Sequence, residues 1–219
     1  MTVSKEELMK NIEEKEKEVI LLSDIDGVTI DWLDGFIKYC ESIGHKALHN
    51  KPEVFAMTDI FPDLEKPWVH IMDYHHSPYY DEIKAYPEVV EVYNKLHDMG
   101  VKIVFVTSCG TTEHIKESRN KVMEKEFNGK FDHIEYLDFG ASKTEILKKY
   151  PNATYIDDQI KMSIEGAESG HESFIKDMSY NRKDNNERVK RLYSFKELIP
   201  YFEKKLGIEK KKNQKIKPI

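Results

Sequence analysis

Short apolar runs alternate with helical patterns along this chain, and that alternation restricts the possible folds more than any other feature. The apolar runs have the length of buried strands and lie at 19–24, 101–108, 133–137 and 153–158, with a weaker candidate at 172–176. Helical patterns separate them at roughly 111–127, 142–150 and 159–168. Strands that are joined by crossover helices run parallel and form one layer between helices. The sequence therefore predicts an α/β fold with a Rossmann-like parallel sheet as its core.

One connection between strands is much too long for a simple crossover. Between Asp24 and Val101 lie 76 residues, whereas a complete strand–helix–strand unit needs only about 30. The excess begins with a helical pattern and continues with a stretch that four prolines interrupt. We expect residues 31–87 to form a small helical cap inserted after the first strand, with residues 1–30 and 88–209 as the core. Such a cap would stand over the carboxyl end of the sheet, where open α/β folds bind their ligands.

The charges of the chain are unevenly distributed. Of the 219 residues, 34 are basic and 40 are acidic, which gives a net charge of −6. The segment 210–219 contains five lysines and no acid, so the rest of the chain carries about −11. An acidic body is a poor ligand for nucleic acid, because binding to phosphates needs clustered positive charge. We expect nucleic acid not to be a partner, and the lysine-rich tail to be disordered.

Nothing in the sequence predicts contact with a membrane. No apolar run approaches the roughly 18 residues of a membrane-spanning helix, and the N-terminus lacks the apolar stretch of a secretory signal. Ser4 and Glu7 instead have the spacing of a capping box, which predicts a charged N-terminal helix. The two cysteines, Cys40 and Cys109, are too few for a disulfide framework. These features predict a soluble cytoplasmic protein.

Polar side chains follow three of the predicted strands, at the point where each strand ends. They are Asp24 and Asp26 after the first strand, Thr107 and Ser108 after the second, and Asp157 and Asp158 after the fourth. Because the carboxyl ends of parallel strands share one edge of a sheet, these groups should converge. Four carboxylates at that distance repel one another unless a cation neutralises them, and Mg²⁺ prefers oxygen ligands. The alternative is that each acid merely caps the following helix, which three coincident strand ends disfavour.

Four segments of the chain resemble the four motifs of the haloacid dehalogenase (HAD) superfamily, in the same order. They are LLSDIDGV at 21–28, VFVTS at 104–108, Lys143 at the start of a helix, and YIDD at 155–158. Together these motifs span most of the chain. The resemblance implies a phosphatase that acts through an aspartyl-phosphate intermediate and requires Mg²⁺.

The resemblance also implies a role for each matching residue. Asp24 would be the nucleophile, ionised at neutral pH because the pKa of a free Asp is about 3.9, and Asp26 the general acid and base. The Mg²⁺ ligands would be Asp24, Asp26 through its backbone carbonyl, and Asp157, with Asp158 as a further candidate. The phosphoryl group would be bound by Thr107 and Lys143, and Ser108 would either donate a second hydroxyl to it or cap the following helix.

A finer resemblance concerns the substrate. The segments DIDGVTIDW at 24–32, SPYYDEIKAYPEVVEVYNKL at 77–96 and SYNR at 179–182 are similar to the 5′(3′)-deoxyribonucleotidase group. This implies a small phosphorylated substrate, with a nucleoside monophosphate as the leading candidate. Aromatic rings stack on nucleobases, and among the many aromatics of the predicted cap we expect three to line the substrate pocket: Phe36, Tyr79 and Tyr80.

Other interpretations stay open at this level. The substrate could be another small phosphate ester or a 3′-phosphate end of nucleic acid, and a non-catalytic phosphate-binding protein could share the fold. Three further features suggest little chemistry. His75 and His76 are expected to form a polar surface pair, Arg182 a surface ion pair, and Cys109 is an unpromising nucleophile because only His114 lies near it in sequence.

Overall fold

The core of the protein is one sheet of six parallel strands. The structure, a computed structural model, describes residues 18–48 and 57–208. The strands are β1 (Ile20–Ser23), β2 (Lys102–Thr107), β3 (His133–Tyr136), β4 (Thr154–Asp157), β5 (Glu172–Lys176) and β6 (Val189–Leu192). Their order across the sheet is β3-β2-β1-β4-β5-β6. The predicted α/β fold with a parallel sheet is confirmed, and the expected N-terminal helix and lysine-rich tail lie outside the described residues.

Helices connect the strands and build the cap. In chain order they are α1 (Trp32–Ser42), α2 (Met57–Ile60), α3 (Pro67–His75), α4 (Pro78–Asp81), α5 (Pro87–Asp98), α6 (Glu113–Phe127), α7 (Thr144–Leu147), α8 (Ile160–Glu168) and α9 (Leu198–Lys205). Two short 3₁₀ turns lie at Ser179–Asn181 and Phe195–Glu197. None of the helices within the described residues is both long and apolar enough to cross a lipid bilayer.

The central strand β1 is buried on both faces because its side chains alternate between them. Leu21 lies in the larger apolar cluster, together with residues of α5 and α9. Leu22 lies in a smaller cluster on the opposite face with Val104 and Tyr155. Pairing of β1 with β2 on one side and β4 on the other places their carboxyl ends side by side. The acids and hydroxyls that follow these strands are therefore brought to one edge.

The first four helices lie between β1 and β2, and their aromatic side chains pack into the same apolar cluster as residues of the sheet. Phe36 is completely buried and stacks on Trp32, with ring centroids 5.0 Å apart. Tyr74 contacts both rings edge-on, at 5.6 Å and 5.5 Å. Gly35 is required at this contact, since a Cβ there would lie 2.2 Å from the Tyr74 hydroxyl. The aromatic residues of the cap thus serve in large part to pack its helices together.

The chain enters and leaves the cap through two adjacent segments that are hydrogen-bonded to each other. The amide of Asp31 donates to the carbonyl of Lys84 at 3.0 Å, and the amide of Tyr86 donates to the carbonyl of Thr29 at 3.0 Å. The two crossings therefore form a short antiparallel ladder at the carboxyl edge of the sheet, next to the loop that follows β1.

The structure differs from the sequence prediction in the second half of the chain. The helix expected over 142–150 is only the single turn α7, which Lys148 ends. The strand β6 was not predicted, because its sequence VKRL has two basic residues among four and lies at the edge of the sheet. An edge strand needs fewer apolar residues than a central one, so its sequence signal is weak.

Candidate active site

The loop after β1 holds Asp24 in a fixed position. The Asp24 amide donates to the carbonyl of Ile156 in β4 at 2.9 Å, which continues the pairing of the strands. The Asp24 carbonyl accepts hydrogen bonds from the hydroxyls of Thr29 at 2.6 Å and Ser23 at 2.9 Å. Gly27 closes the loop with a φ of +84°, and a Cβ there would lie 2.6 Å from a carboxylate oxygen of Asp158. Glycine is required at this position on both grounds.

Lys143, which directly precedes α7, pairs with the Asp24 carboxylate. Its Nζ donates to Asp24 Oδ1 and, at 2.8 Å, to Asp157 Oδ2. The side chain is buried, and its backbone amide is tied to Glu165 Oε2 at 3.1 Å. Lys143, which the resemblance assigns to the phosphoryl group, thus lies beside two of the acids, and the short helix α7 begins one residue after it.

The electrostatic environment of Asp24 differs from that of a free aspartate. Burial raises the pKa of Asp24 well above its ordinary value, and Asp157 and Asp158 raise it further, while the Lys143 ammonium opposes them. The ordinary pKa that supported an ionised Asp24 in the sequence argument does not apply here. Ionisation of this carboxyl depends on Lys143 and on any further cation that the acids hold.

Asp157 and Asp158 are adjacent in sequence but have different surroundings. Asp157 accepts from Lys143, from the Tyr155 hydroxyl at 2.5 Å and from the amide of Gln159 at 2.9 Å, so both of its oxygens are used. Asp158 accepts from the Tyr180 hydroxyl through Oδ2, whereas its buried Oδ1 has no partner among the described residues. Burial, followed by the charge of Asp157, raises the pKa of Asp158 to about 7.

This group of acids fits a divalent cation. Carboxylate oxygens of Asp24, Asp157 and Asp158 lie within 4.8 Å of one another, and all three residues are buried. A single ammonium, that of Lys143, pairs with two of them. The unpartnered Oδ1 of Asp158 is an additional oxygen donor. A hard cation such as Mg²⁺ would satisfy that oxygen and offset the remaining negative charge.

Asp26 is held by two donors from separate elements. The Thr107 hydroxyl, at the end of β2, donates to Asp26 Oδ2 at 3.2 Å. The Arg119 guanidinium, from the middle of α6, donates through Nη2 to Asp26 Oδ1 at 2.7 Å. Sequence reasoning missed Arg119, because one arginine in a charged helical pattern has no local signal that distinguishes it from a solvated one.

A cavity of about 790 Å³ lies between the sheet edge and the cap. The predicted site residues that line it are Asp24, Asp26, Thr107, Ser108, Lys143 and Asp158. Asp157 is not among the residues that line it. The Ser108 hydroxyl donates to the carbonyl of Ala141 at 2.9 Å, so it also anchors the neighbouring loop. Six of the seven residues predicted for catalysis, phosphate binding and metal binding thus face one cavity.

The three aromatic residues predicted for the substrate pocket do not line this cavity, and that expectation is corrected. Phe36 and Tyr80 are completely buried in the larger apolar cluster. Tyr79 lines a separate cavity of about 290 Å³. The wall is instead built by other apolar and aromatic residues: Trp32, Leu33, Ile37, Met57, Ile71, Tyr86, Phe139, Met162, Met178 and Tyr180. Sequence spacing alone cannot tell which face of a short cap helix is covered.

Three lesser predictions can also be compared with the structure. Arg182 forms the expected surface ion pair, with Asp177 at 3.3 Å. Cys109 lines the cavity, but burial raises the pKa of its thiol, which disfavours a thiolate nucleophile. The histidines are not a surface pair, since His75 is buried in the cavity wall while His76 is exposed and stacks on His114.

His75 gives the folded protein a pH-dependent stability. Burial lowers its pKa to about 4, so between pH 6.5 and about 4 the unfolded chain binds a proton that the folded chain does not. Stability therefore decreases as the pH falls through this range. Between pH 7 and pH 4, we expect the free energy of unfolding of His75→Leu to decrease by about 3 kcal/mol less than that of the wild type. Urea unfolding at the two pH values measures both decreases. His76→Leu, at the exposed neighbour, should leave the loss unchanged; an equal loss in wild type and His75→Leu would contradict the prediction.

Comparison with known proteins identifies the fold. No protein-family model matches the chain, and no curated protein matches it. Several solved structures, however, match the chain. A predicted phosphatase from Clostridium acetobutylicum superposes with a TM-score of 0.60 at 15% identity, covering 85% of this chain and 99% of that one. A HAD-superfamily hydrolase of subfamily IA from Geobacter sulfurreducens gives 0.57 at 14% identity, covering 84% and 96%.

The third comparison is a CbbY variant from Rhodobacter sphaeroides, solved in complex with xylulose 1,5-bisphosphate. It superposes with a TM-score of 0.54 at 16% identity, and the match covers 82% of this chain and 95% of that one. The chain has the HAD fold. At these identities the likeness establishes the fold alone, so the finer resemblance to 5′(3′)-deoxyribonucleotidases stays a prediction.

Proposed function

We propose that the protein is a Mg²⁺-dependent phosphatase that hydrolyses small phosphate monoesters through an aspartyl-phosphate on Asp24. The observation that carries this proposal is the placement of Asp24 at the cavity with the Lys143 ammonium bonded to it and Asp26 two residues away. A non-catalytic phosphate-binding protein would gain nothing from carboxylates beside a bound anion, because they repel it.

The reaction would occur in two halves. In the first, a carboxylate oxygen of Asp24 attacks phosphorus, the bond from phosphorus to the ester oxygen breaks, and Asp26 gives a proton to that oxygen. In the second, water attacks the aspartyl-phosphate, Asp26 takes a proton from the water, and inorganic phosphate leaves with Asp24 regenerated.

The remaining residues would bind and orient the phosphoryl group. Lys143 places a positive charge where negative charge accumulates during transfer, and its pairing with Asp157 keeps its ammonium in place. Thr107 and Ser108 line the cavity, and to bind a phosphoryl oxygen their hydroxyls would exchange the Asp26 carboxylate and the Ala141 carbonyl for it. Mg²⁺, when bound, supplies positive charge that reduces repulsion between Asp24 and the phosphate. We assign its ligands as Asp24, the Asp26 carbonyl and Asp158, and we assign Asp157 to orienting Lys143.

The cavity wall favours a substrate with a flat, largely apolar leaving group. Away from the acids at the sheet edge, the wall includes aliphatic and aromatic side chains such as Leu33, Met57, Ile71 and Phe139, beside a few polar ones such as Gln159 and Lys161. A sugar phosphate needs many polar partners for its hydroxyls, whereas a nucleobase binds through its ring faces. We therefore propose a nucleoside monophosphate as the preferred substrate, and the wall residues named here replace Phe36, Tyr79 and Tyr80 in that role.

A panel of phosphate esters tests the proposal. Purified protein with Mg²⁺ is assayed for phosphate release from deoxyribonucleoside and ribonucleoside monophosphates, as 5′- and 3′-esters, and from sugar phosphates. We expect kcat/KM to be at least about tenfold higher for the best nucleotide than for the best sugar phosphate, since one additional apolar contact contributes that much. Higher kcat/KM values for sugar phosphates would refute the nucleotide assignment. Binding of orthophosphate without turnover of any ester would refute the proposal that the protein is an enzyme.

A further inference from the structure

Arg119 is a buried charged residue, and its burial is unfavourable for the stability of the fold. Its side chain is completely inaccessible, and its Nη2 pairs with Asp26 while Nε and Nη1 have no hydrogen-bond partner within the part of the chain that the structure describes. Moving a guanidinium out of water costs several kcal/mol, and one ion pair rarely compensates for it. An apolar residue of similar volume at this position of α6 would fill the same space without the desolvation penalty of a buried charge. Fold stability alone therefore does not explain an arginine here.

The guanidinium is confined on its other face by the cap. Its central carbon lies 4.5 Å from the centroid of the Tyr80 ring, in a cation–π contact. Tyr80 belongs to α4 and is itself completely buried. The guanidinium therefore has little room to move, and it is held between the cap and the Asp26 carboxylate.

Both carboxylate oxygens of Asp26 therefore accept hydrogen bonds from donors that lie outside its own loop. Arg119 holds Oδ1 from α6, and the Thr107 hydroxyl holds Oδ2 from the end of β2. The Asp26 side chain is 26% exposed, and the residue lines the cavity. These two contacts therefore restrain the orientation of a side chain that is partly exposed.

We propose that Arg119 is a positioning residue that orients Asp26 for proton transfer to the leaving oxygen. The inference rests on the proposed phosphatase function. Asp26 transfers one proton to the ester oxygen as its bond to phosphorus breaks, and Arg119 exchanges no proton, because a guanidinium stays protonated in proteins. Misplacement of a catalytic group by about 1 Å costs on the order of 10²-fold in rate. The effect of losing Arg119 should depend on how much the leaving group needs a proton.

Two esters of similar shape separate this role from a purely structural one. The p-nitrophenolate ion leaves readily without a proton, whereas benzyl alkoxide needs one. The kcat/KM value is the right measure because it reports the first half-reaction, before the aspartyl-phosphate that is common to both substrates is hydrolysed. We expect Arg119→Met to lower kcat/KM for benzyl phosphate about 100-fold, and for p-nitrophenyl phosphate less than about 5-fold.

The controls cover folding and charge. Arg119→Met should fold, since the remaining Asp26 carboxylate is accessible to water, and far-UV circular dichroism checks this. Arg188→Met, at an arginine whose side chain is 61% exposed, should retain both activities. Arg119→Lys keeps the positive charge but lacks the planar guanidinium with its several donors. It should therefore recover part of the benzyl phosphate activity that Arg119→Met loses. If Arg119→Met does not fold, the ratio of the two substrates is read on Arg119→Lys, where it should still change.

The outcomes are distinct. An equal loss for both esters in whichever variant folds would overturn the positioning role and leave the phosphatase intact. Failure of the wild type to hydrolyse either ester, with Mg²⁺ present, would overturn both proposals. A loss that is selective for benzyl phosphate, with partial recovery in Arg119→Lys, supports the inference.

Discussion

Asp24→Asn should abolish phosphate release, lowering kcat by at least roughly 10⁴-fold, because the amide is no nucleophile while the side chain keeps its shape. The hydrogen bonds that hold this loop use the backbone of Asp24 and the hydroxyls of Ser23 and Thr29, so they survive the substitution. Turnover is measured as phosphate release with Mg²⁺ from the best ester of the panel, and circular dichroism verifies the fold.

A matched substitution separates the loss of the nucleophile from a general effect of charge removal. Asp98→Asn alters an exposed aspartate that pairs with Lys130 at the surface, and it should leave kcat within about twofold, as surface ion pairs contribute little. Activity of Asp24→Asn near that of the wild type would eliminate Asp24 as the attacking group.

Removal of divalent cations should have the second-largest effect. We expect EDTA to stop turnover and excess Mg²⁺ to restore it, since Asp24 and Asp158 line the cavity as buried acids and an oxygen of Asp158 has no partner among the described residues. Metal binding should also be visible without catalysis. At 100 times its dissociation constant, Mg²⁺ stabilises the folded state by about 2.7 kcal/mol, which raises the Tm of a chain this size by roughly 5 °C or more.

The Tm shift also identifies the ligands. Asp158→Asn should reduce the Mg²⁺-induced shift by at least half, while Asp98→Asn, remote from the cavity, should retain it in full. Undiminished turnover in EDTA, or the same shift in wild type and Asp158→Asn, would argue against a cation on these acids.

The sequence predicted the sheet and the placement of most site residues because both follow from local patterns. Apolar runs of strand length identify β1, β2 and β4, and parallel strands necessarily bring their carboxyl ends together. Lys143 was selected as a candidate because it precedes the YIDD segment at the start of a predicted helix, and the structure places it beside Asp24. These features depend on neighbours in the chain, which a single sequence displays.

What sequence reasoning missed depends on contacts between distant segments. Arg119 and Asp26 are 93 residues apart, and no local pattern links them. Asp157 and Asp158 are indistinguishable in the sequence, although the structure gives one a complete set of donors and leaves an oxygen of the other unpaired. The aromatic residue Phe36 was assigned to a pocket wall because its neighbours in space were unknown.

The ladder between the two cap crossings limits how the cavity can open. Sliding the cap along the sheet edge would break the bonds from Asp31 to Lys84 and from Tyr86 to Thr29 together, whereas tilting it like a door preserves both. The cap is also held by α6, because the Ser118 hydroxyl donates to Asp81 and the Arg119 guanidinium lies against the Tyr80 ring. Tilting the cap away from α6 therefore requires both of these contacts to separate.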